Sequence, residues 1–256
     1  MVRPAPGRRA GGAVTGPILA TRGLVKRFGG VAAVDDVDFA LAEGELRCLI
    51  GPNGAGKSTF FKMLSGQIRP TGGRIAFRGA DITGFEPHAI AGLGVGIKTQ
   101  VPSVFDGLSV RENLMLAAWR TRPRHAAAAA VEELLARVRL TAEADRPVGH
   151  LAHGQRQWVE LGMVLARDPA LVLLDEPTAG MTHEETAATA DLIRAVNARC
   201  AIVVVEHDMQ FVRMIATTVT VLHQGRVLAE DHVDVVMRDR RVRDVYLGRQ
   251  EGPPDA

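Results

Sequence analysis

Residues 51 to 59 read Gly51-Pro52-Asn53-Gly54-Ala55-Gly56-Lys57-Ser58-Thr59, a complete G-x-x-x-x-G-K-[ST] loop. Gly51, Gly54 and Gly56 allow the tight turn that aims successive backbone N–H groups at the β- and γ-phosphates of a nucleotide. Lys57 adds a full positive charge. Ser58 offers a hydroxyl to Mg²⁺, and the positive end of the helix that follows faces the same anion. The whole stretch, with Pro52, Asn53, Ala55 and Thr59 as part of the cradle, predicts binding of a nucleoside triphosphate.

Such a loop works only between a strand and a helix. Glu45–Ile50 reads as the entering strand and Thr59–Leu64 as the departing helix. A chance glycine-rich turn is the bland alternative, and the ordered arrival of the other parts of an ATPase site counts against it.

Ala170-Leu171-Val172-Leu173-Leu174-Asp175-Glu176-Pro177 is a continuous apolar strand, of the kind buried in a parallel sheet, ending in two carboxylates. It delivers Asp175 to the phosphate end of the sheet, where it can hold Mg²⁺. Glu176 can orient the water that attacks the γ-phosphate or take its proton. The plain alternative is a strand end capped by solvated acids.

Further upstream, Leu151-Ala152-His153-Gly154-Gln155-Arg156-Gln157 precedes a helix-like run from Trp158 to Arg167. With this segment the chain resembles the ATP-binding subunits of ATP-binding-cassette (ABC) transporters, whose signature is usually Leu-Ser-Gly-Gly-Gln before such a helix. Leu151, Gly154 and Gln155 match; Ala152 and His153 depart. The resemblance implies a dimer in which Ala152, His153, Gly154 and Gln155 face, in trans, the γ-phosphate bound by a second ATPase subunit, identical or different.

The same resemblance assigns other positions. Phe28 matches the aromatic residue that stacks on adenine, although an isolated Phe is more often core. Gln100 matches the glutamine that reaches Mg²⁺ and the attacking water, against the alternative of a solvated loop residue. His207, closing the strand-like Ala201–Asp208, matches the switch histidine that bonds the γ-phosphate. Asp175 and Ser58 complete the implied Mg²⁺ set. Thr182, in Ala179-Gly180-Met181-Thr182, replaces an aspartate common in the loop that crosses the dimer, and Ala152 lacks the hydroxyl of the usual serine.

His153–Glu160, Ala179–Thr186 and the ending Val245-Tyr246-Leu247-Gly248 are similar to the urea-importer ATPase within the branched-chain amino-acid uptake group. This implies an ATPase that powers import of urea or a related small amide, with a branched-chain amino-acid importer as the alternative. Partners would be membrane permease subunits and, indirectly, a substrate-binding protein. The chain would then sit at the cytoplasmic face of the membrane, attached through its permease.

The elements that must position these groups are legible in outline, and they predict an α/β fold. A phosphate-loop core with a mainly parallel sheet is joined by an early antiparallel portion over about 18–39 and a hairpin over about 72–81. A helix is expected at Pro87–Leu93. Between about 101 and 155 the apolar period turns helical, at Ser109–Trp119 and Ala126–Val138, which predicts an inserted helical subdomain. The tract Ala126–Ala130 reads as plain helix. Nearby Val104 and Phe105 are candidates for a permease groove or for internal packing. One ATPase domain over 18–249 is expected, with a disordered leader at 1–17 and a tail at 250–256.

Composition narrows the classes. The 256 residues are 46% hydrophobic and 23% charged, with a formal net charge of +2. These are values of a globular protein without the electrostatic footprint of a nucleic-acid binder. No apolar run reaches the roughly 18 residues needed to span a bilayer, and the Arg-containing start lacks the apolar core of a secretory signal. Cys48 and Cys200 read as small core residues in a reducing compartment. His150 and His153 lack the further ligands of a zinc site. The run Arg238–Asp244 mixes charge signs and reads as a solvated helical face, with docking as the alternative. A chromosome-maintenance or repair ATPase would carry long heptad insertions, absent here. In a non-catalytic assembly module, intact Glu176 and His207 would be out of place.

Overall fold

The computed structural model describes residues 16–247. The expected leader, apart from Gly16 and Pro17, and the expected tail lie outside the described residues, as does Gly248. The strands are β1 (Leu19–Phe28), β2 (Val31–Leu41), β3 (Leu46–Ile50), β4 (Gly72–Phe77), β5 (Ala80–Asp81), β6 (Val95–Lys98), β7 (Leu171–Asp175), β8 (Ala201–Val205), β9 (Thr218–His223) and β10 (Arg226–His232). The helices are α1 (Lys57–Leu64), α2 (Pro87–Gly92), α3 (Val110–Ala118), α4 (Arg124–Arg137), α5 (His153–Leu165), α6 (His183–Asn197), α7 (Met209–Ile215), α8 (Val233–Val236) and α9 (Arg240–Leu247).

Two sheets carry the fold. One is antiparallel, in the order β2-β1-β4-β5; the other runs β10-β9-β3-β8-β7-β6. In the second, β9, β3, β8, β7 and β6 are parallel, and only β10 pairs antiparallel at its edge. Parallel strands covered on both faces must be apolar at every position. In β7, Leu171 and Leu173 enter one core while Val172 and Leu174 enter the other.

The first core lies between the two sheets around α1, whose Phe60, Phe61, Met63 and Leu64 are buried there. Phe60 meets Phe39 of β2 edge-on, with ring centroids 5.6 Å apart. The second core lies under α3 to α7. Local chemistry starts these helices. Ser109 with Glu112 and Thr182 with Glu185 form reciprocal capping boxes on α3 and α6. Asp208 accepts from Gln210 N–H and Phe211 N–H at the start of α7.

Two expected boundaries move, and one open alternative divides. The signature helix begins at His153, five residues before Trp158, so His153, Gly154 and Gln155 form its first turn. The strand before His207 ends at Val205, which leaves Glu206 and His207 on the loop beyond it. Of the pair Val104 and Phe105, Val104 packs partly against the second core, while Phe105 is 54% exposed. Among the described residues, no helix is long and apolar enough to cross a membrane.

Candidate nucleotide site

Four neighbouring parallel strands point their carboxyl ends the same way, and each delivers one part of the site. β3 leads into the phosphate loop, β8 into Glu206 and His207, β7 into Asp175 and Glu176, and β6 into Gln100. Residues separated by up to 156 positions in the chain, Gly51 to His207, thereby meet at one edge.

The phosphate loop depends on glycine where it passes closest to the rest of the fold. Gly51 has φ 151° and Gly56 φ 101°; a Cβ on them would stand 2.2 Å from the Leu222 carbonyl and 2.3 Å from the Ala33 carbonyl. Ala55 carbonyl accepts from Gly225 N–H at 3.0 Å, tying the loop to the β9–β10 turn. The Lys57 ammonium donates to the carbonyls of Gly51 at 2.6 Å and Pro52 at 3.0 Å. Burial lowers the Lys57 pKa, and the negative charges of Glu176 and Asp175 act in the opposite sense. Ser58 is exposed at the start of α1.

At the acidic pair, burial raises the Asp175 pKa, and neighbouring Glu176 adds to the rise. Glu176 sits in the left-handed region at φ 45°, a conformation that costs a non-glycine residue on the order of 1–3 kcal/mol and persists where surroundings enforce it. Its N–H donates to the Val205 carbonyl at 2.9 Å. Its Oε2 accepts from Gln100 Nε2 at 2.9 Å, and its Oε1 lies 3.4 Å from Nδ1 of His207. Gln100, Glu176 and His207 are thus brought together.

Buried Glu206 escaped the sequence reading. Its Oε1 accepts from the Thr178 hydroxyl at 2.6 Å, and its Oε2 accepts from His207 N–H at 3.0 Å. It therefore locks the segment after the acidic pair to the loop carrying His207. A charged residue directly after the run Ala201–Val205 was the available signal. Lys98, Gln157 and Glu160 were missed as well: each is a polar residue within or beside an apolar stretch, and all three are buried.

The signature residues stand apart. Among the described residues, no hydrogen bond joins Ala152–Gln155 to the phosphate loop or the acidic pair. Gln155 Oε1 accepts from Ala152 N–H at 3.1 Å, and the His153 ring meets the Ala179 carbonyl at 3.0 Å. Ala152 starts α5 with no side chain to cap the first N–H groups. Thr182 is taken up as the cap of α6. Phe28 ends β1 with 52% of its surface exposed and Lys26 Nζ 5.1 Å from its ring centroid.

The residues present suit a triphosphate and a divalent cation. The glycine loop and Lys57 match the polyanion, and the exposed Ser58 hydroxyl with half-buried Asp175 matches Mg²⁺, which keeps waters and phosphate oxygens in its shell instead of an all-protein cage. Among the described residues, no cluster of three or more His, Cys, Asp or Glu suited to a metal occurs.

Fold and loop together define a phosphate-loop ATPase. The family model described as ABC transporter matches residues 34–179. The chain belongs to this family and is an ATP-hydrolysing enzyme of the ABC type. It is 34% identical over 250 residues to the high-affinity branched-chain amino acid transport ATP-binding protein LivG of Salmonella typhimurium, covering 91% of this chain and 98% of LivG. With BraF of Pseudomonas aeruginosa, of the same description, it shares 35% identity over 251 residues, again covering 91% and 98%. The crystal structure of the ADP conformation of an ATP-binding cassette of an ABC transporter superposes with a TM-score of 0.81 at 28% identity, covering 91% of this chain and all of the other.

Proposed function

We propose that this chain is the ATPase subunit of an importer for branched-chain amino acids. The observation that carries the substrate class is the match to LivG and BraF over 98% of their length. These relatives favour the branched-chain amino-acid alternative over urea.

In this reading the loop amides and Lys57 grip the triphosphate, and Phe28 offers its exposed face to adenine. Ser58, Asp175 and Gln100 would hold Mg²⁺, which would supply positive charge against the triphosphate. Glu176 takes the proton of the attacking water, oriented by Gln100 on one oxygen and His207 on the other. The water oxygen bonds to the γ-phosphorus, the bond to the β-bridging oxygen breaks, and ADP and phosphate leave.

A second ATPase subunit, identical or different, closes the site with its own signature turn, and Ala152–Gln155 of this chain cap that subunit's site in return. The uncapped first turn of α5 suits this task, because its free N–H groups and helix dipole attract an anion without the usual serine. ATP thus favours the closed pair, and its cleavage removes the bridge. The helical segment of about 101–155 would transmit the motion to the permease. A cavity of about 770 Å³, lined by Phe105, Leu116 and Met163 among others, lies beside it and suits a permease segment. Docking there would hold the chain at the cytoplasmic membrane face.

Reconstitution of the chain with its co-purifying permease in vesicles tests the reading. Binding protein loaded with leucine is expected to stimulate ATP turnover. Stimulation by urea with none by leucine overturns the substrate class, and turnover indifferent to any permease overturns the transport role.

A further inference from the structure

The loop that carries Gln100 is gripped along one face of α5, the helix that begins with the signature residues. Gln157 Nε2 donates to the Gln100 carbonyl at 3.4 Å, and Glu160 Oε1 accepts from Ser103 N–H at 3.0 Å. The other Glu160 oxygen lies 3.5 Å from Lys98 Nζ, which itself donates to the Thr99 carbonyl at 3.3 Å. Lys98, Gln157 and Glu160 are 1%, 1% and 5% exposed.

We infer that Lys98 and Glu160 are positioning residues that set the reach of Gln100 toward Glu176, a role resting on the assignment of those two residues to hydrolysis. A buried ion pair is poor evidence of stabilisation, because well-packed apolar residues commonly hold a fold as well. Its geometry here does something apolar residues cannot. Lys98, the last residue of β6, holds the first carbonyl of the loop, and Glu160 holds the N–H at which the chain leaves it. Gln100 stands between these two anchors, with its own carbonyl tied to α5. Its side chain must meet Glu176 at 2.9 Å, and hydrogen bonds weaken steeply as distance and angle drift. The phosphate loop, on β3 and α1, takes no part in these contacts.

The test uses the full chain in its assembled complex and the variant Lys98→Met/Glu160→Gln. Each single change leaves one charge buried alone and endangers folding. The double change removes both charges, keeps the volumes and keeps an oxygen for Ser103 N–H. Misplacement on the ångström scale lowers rates by up to about a hundredfold, so kcat is expected to fall about tenfold or more while KM for ATP stays within about twofold. Adding Gln100→Ala to the double variant is expected to cost nothing beyond Gln100→Ala alone, since both act through one contact.

Unchanged kcat, a loss that multiplies with that of Gln100→Ala, or a double variant that gives no folded complex overturns the inference. Gln100→Ala and Glu176→Gln alone separate the two levels. Full turnover in both removes the site assignment, and this inference with it. Loss in both with full turnover in Lys98→Met/Glu160→Gln removes this inference only.

Discussion

Gln100 and Glu176, 76 residues apart, are joined by a hydrogen bond of 2.9 Å from the amide of the first to the carboxylate of the second. The bond spans the ends of the adjacent strands β6 and β7. With His207 Nδ1 3.4 Å from the other oxygen, Glu176 is flanked on both sides while its backbone is held at φ 45°. A carboxylate so constrained suits the proposed role of base, and the first expected outcome follows from that proposal.

Glu176→Gln keeps the side-chain size but cannot take a proton. Nucleotide affinity is expected to stay within about threefold, since the change leaves charge-bearing Lys57 in place, while turnover falls by roughly 10²- to 10⁴-fold. Equilibrium titration with a fluorescent ATP analogue beside steady-state hydrolysis checks this. Undiminished turnover would remove Glu176 from the role of base.

Lys57→Ala acts on binding. The ammonium is held over the loop by two carbonyls, and hydrogen bonds to charged groups are worth about 1.5–3 kcal/mol, so ATP affinity is expected to fall about 10- to 100-fold. Calorimetric titration with ATP measures the loss. An affinity equal to that of the unmodified chain contradicts the assigned grip.

Ala152→Ser supplies the missing half of a capping box, because Gln155 already accepts from Ala152 N–H. A hydroxyl here would accept from Gln155 N–H and stabilise the chain by about 1 kcal/mol, raising Tm by about 2–4 °C. Thermal melts without nucleotide isolate this gain. Turnover of the assembled complex then reports the contact in trans; no change in rate or affinity means that the alanine carries no cost there.

Both cysteines are expected to be silent toward thiol reagents in the native chain. Burial pushes the Cys200 thiol up to about 11, with Asp168 adding to the rise, and pushes Cys48 higher still. Raised values keep the thiols protonated below that pH, so at pH 8 only about one Cys200 in a thousand is thiolate. Titration with an aromatic disulfide reagent should find no thiol in buffer and two in denaturant. Rapid native reaction would show that the core around β3 or β8 opens readily.

The sequence alone determined the chemistry and most of the scaffold. The loop 51–59, the acids at 175 and 176 and the apolar runs before them carry local signals: turn-forming glycines, a lysine at fixed spacing, and strands too apolar to face water. Such features depend on neighbours within a few residues, so they survive without coordinates. Likeness to known signatures added Phe28, Gln100, His207 and the segment 152–155.

Only the tertiary structure decided how these parts meet. Strand order, which no local pattern records, put Gln100, Glu176 and His207 at one edge. Burial made Glu206, Lys98 and Glu160 internal ties, because a charge becomes a fixed partner of the backbone when packing removes its water. Packing likewise turned His153 toward Ala179 and moved the start of α5 ahead of the residue where its apolar pattern begins. Those contacts arise between segments far apart in the chain, and their energy exists only once the two sheets and their helices have closed.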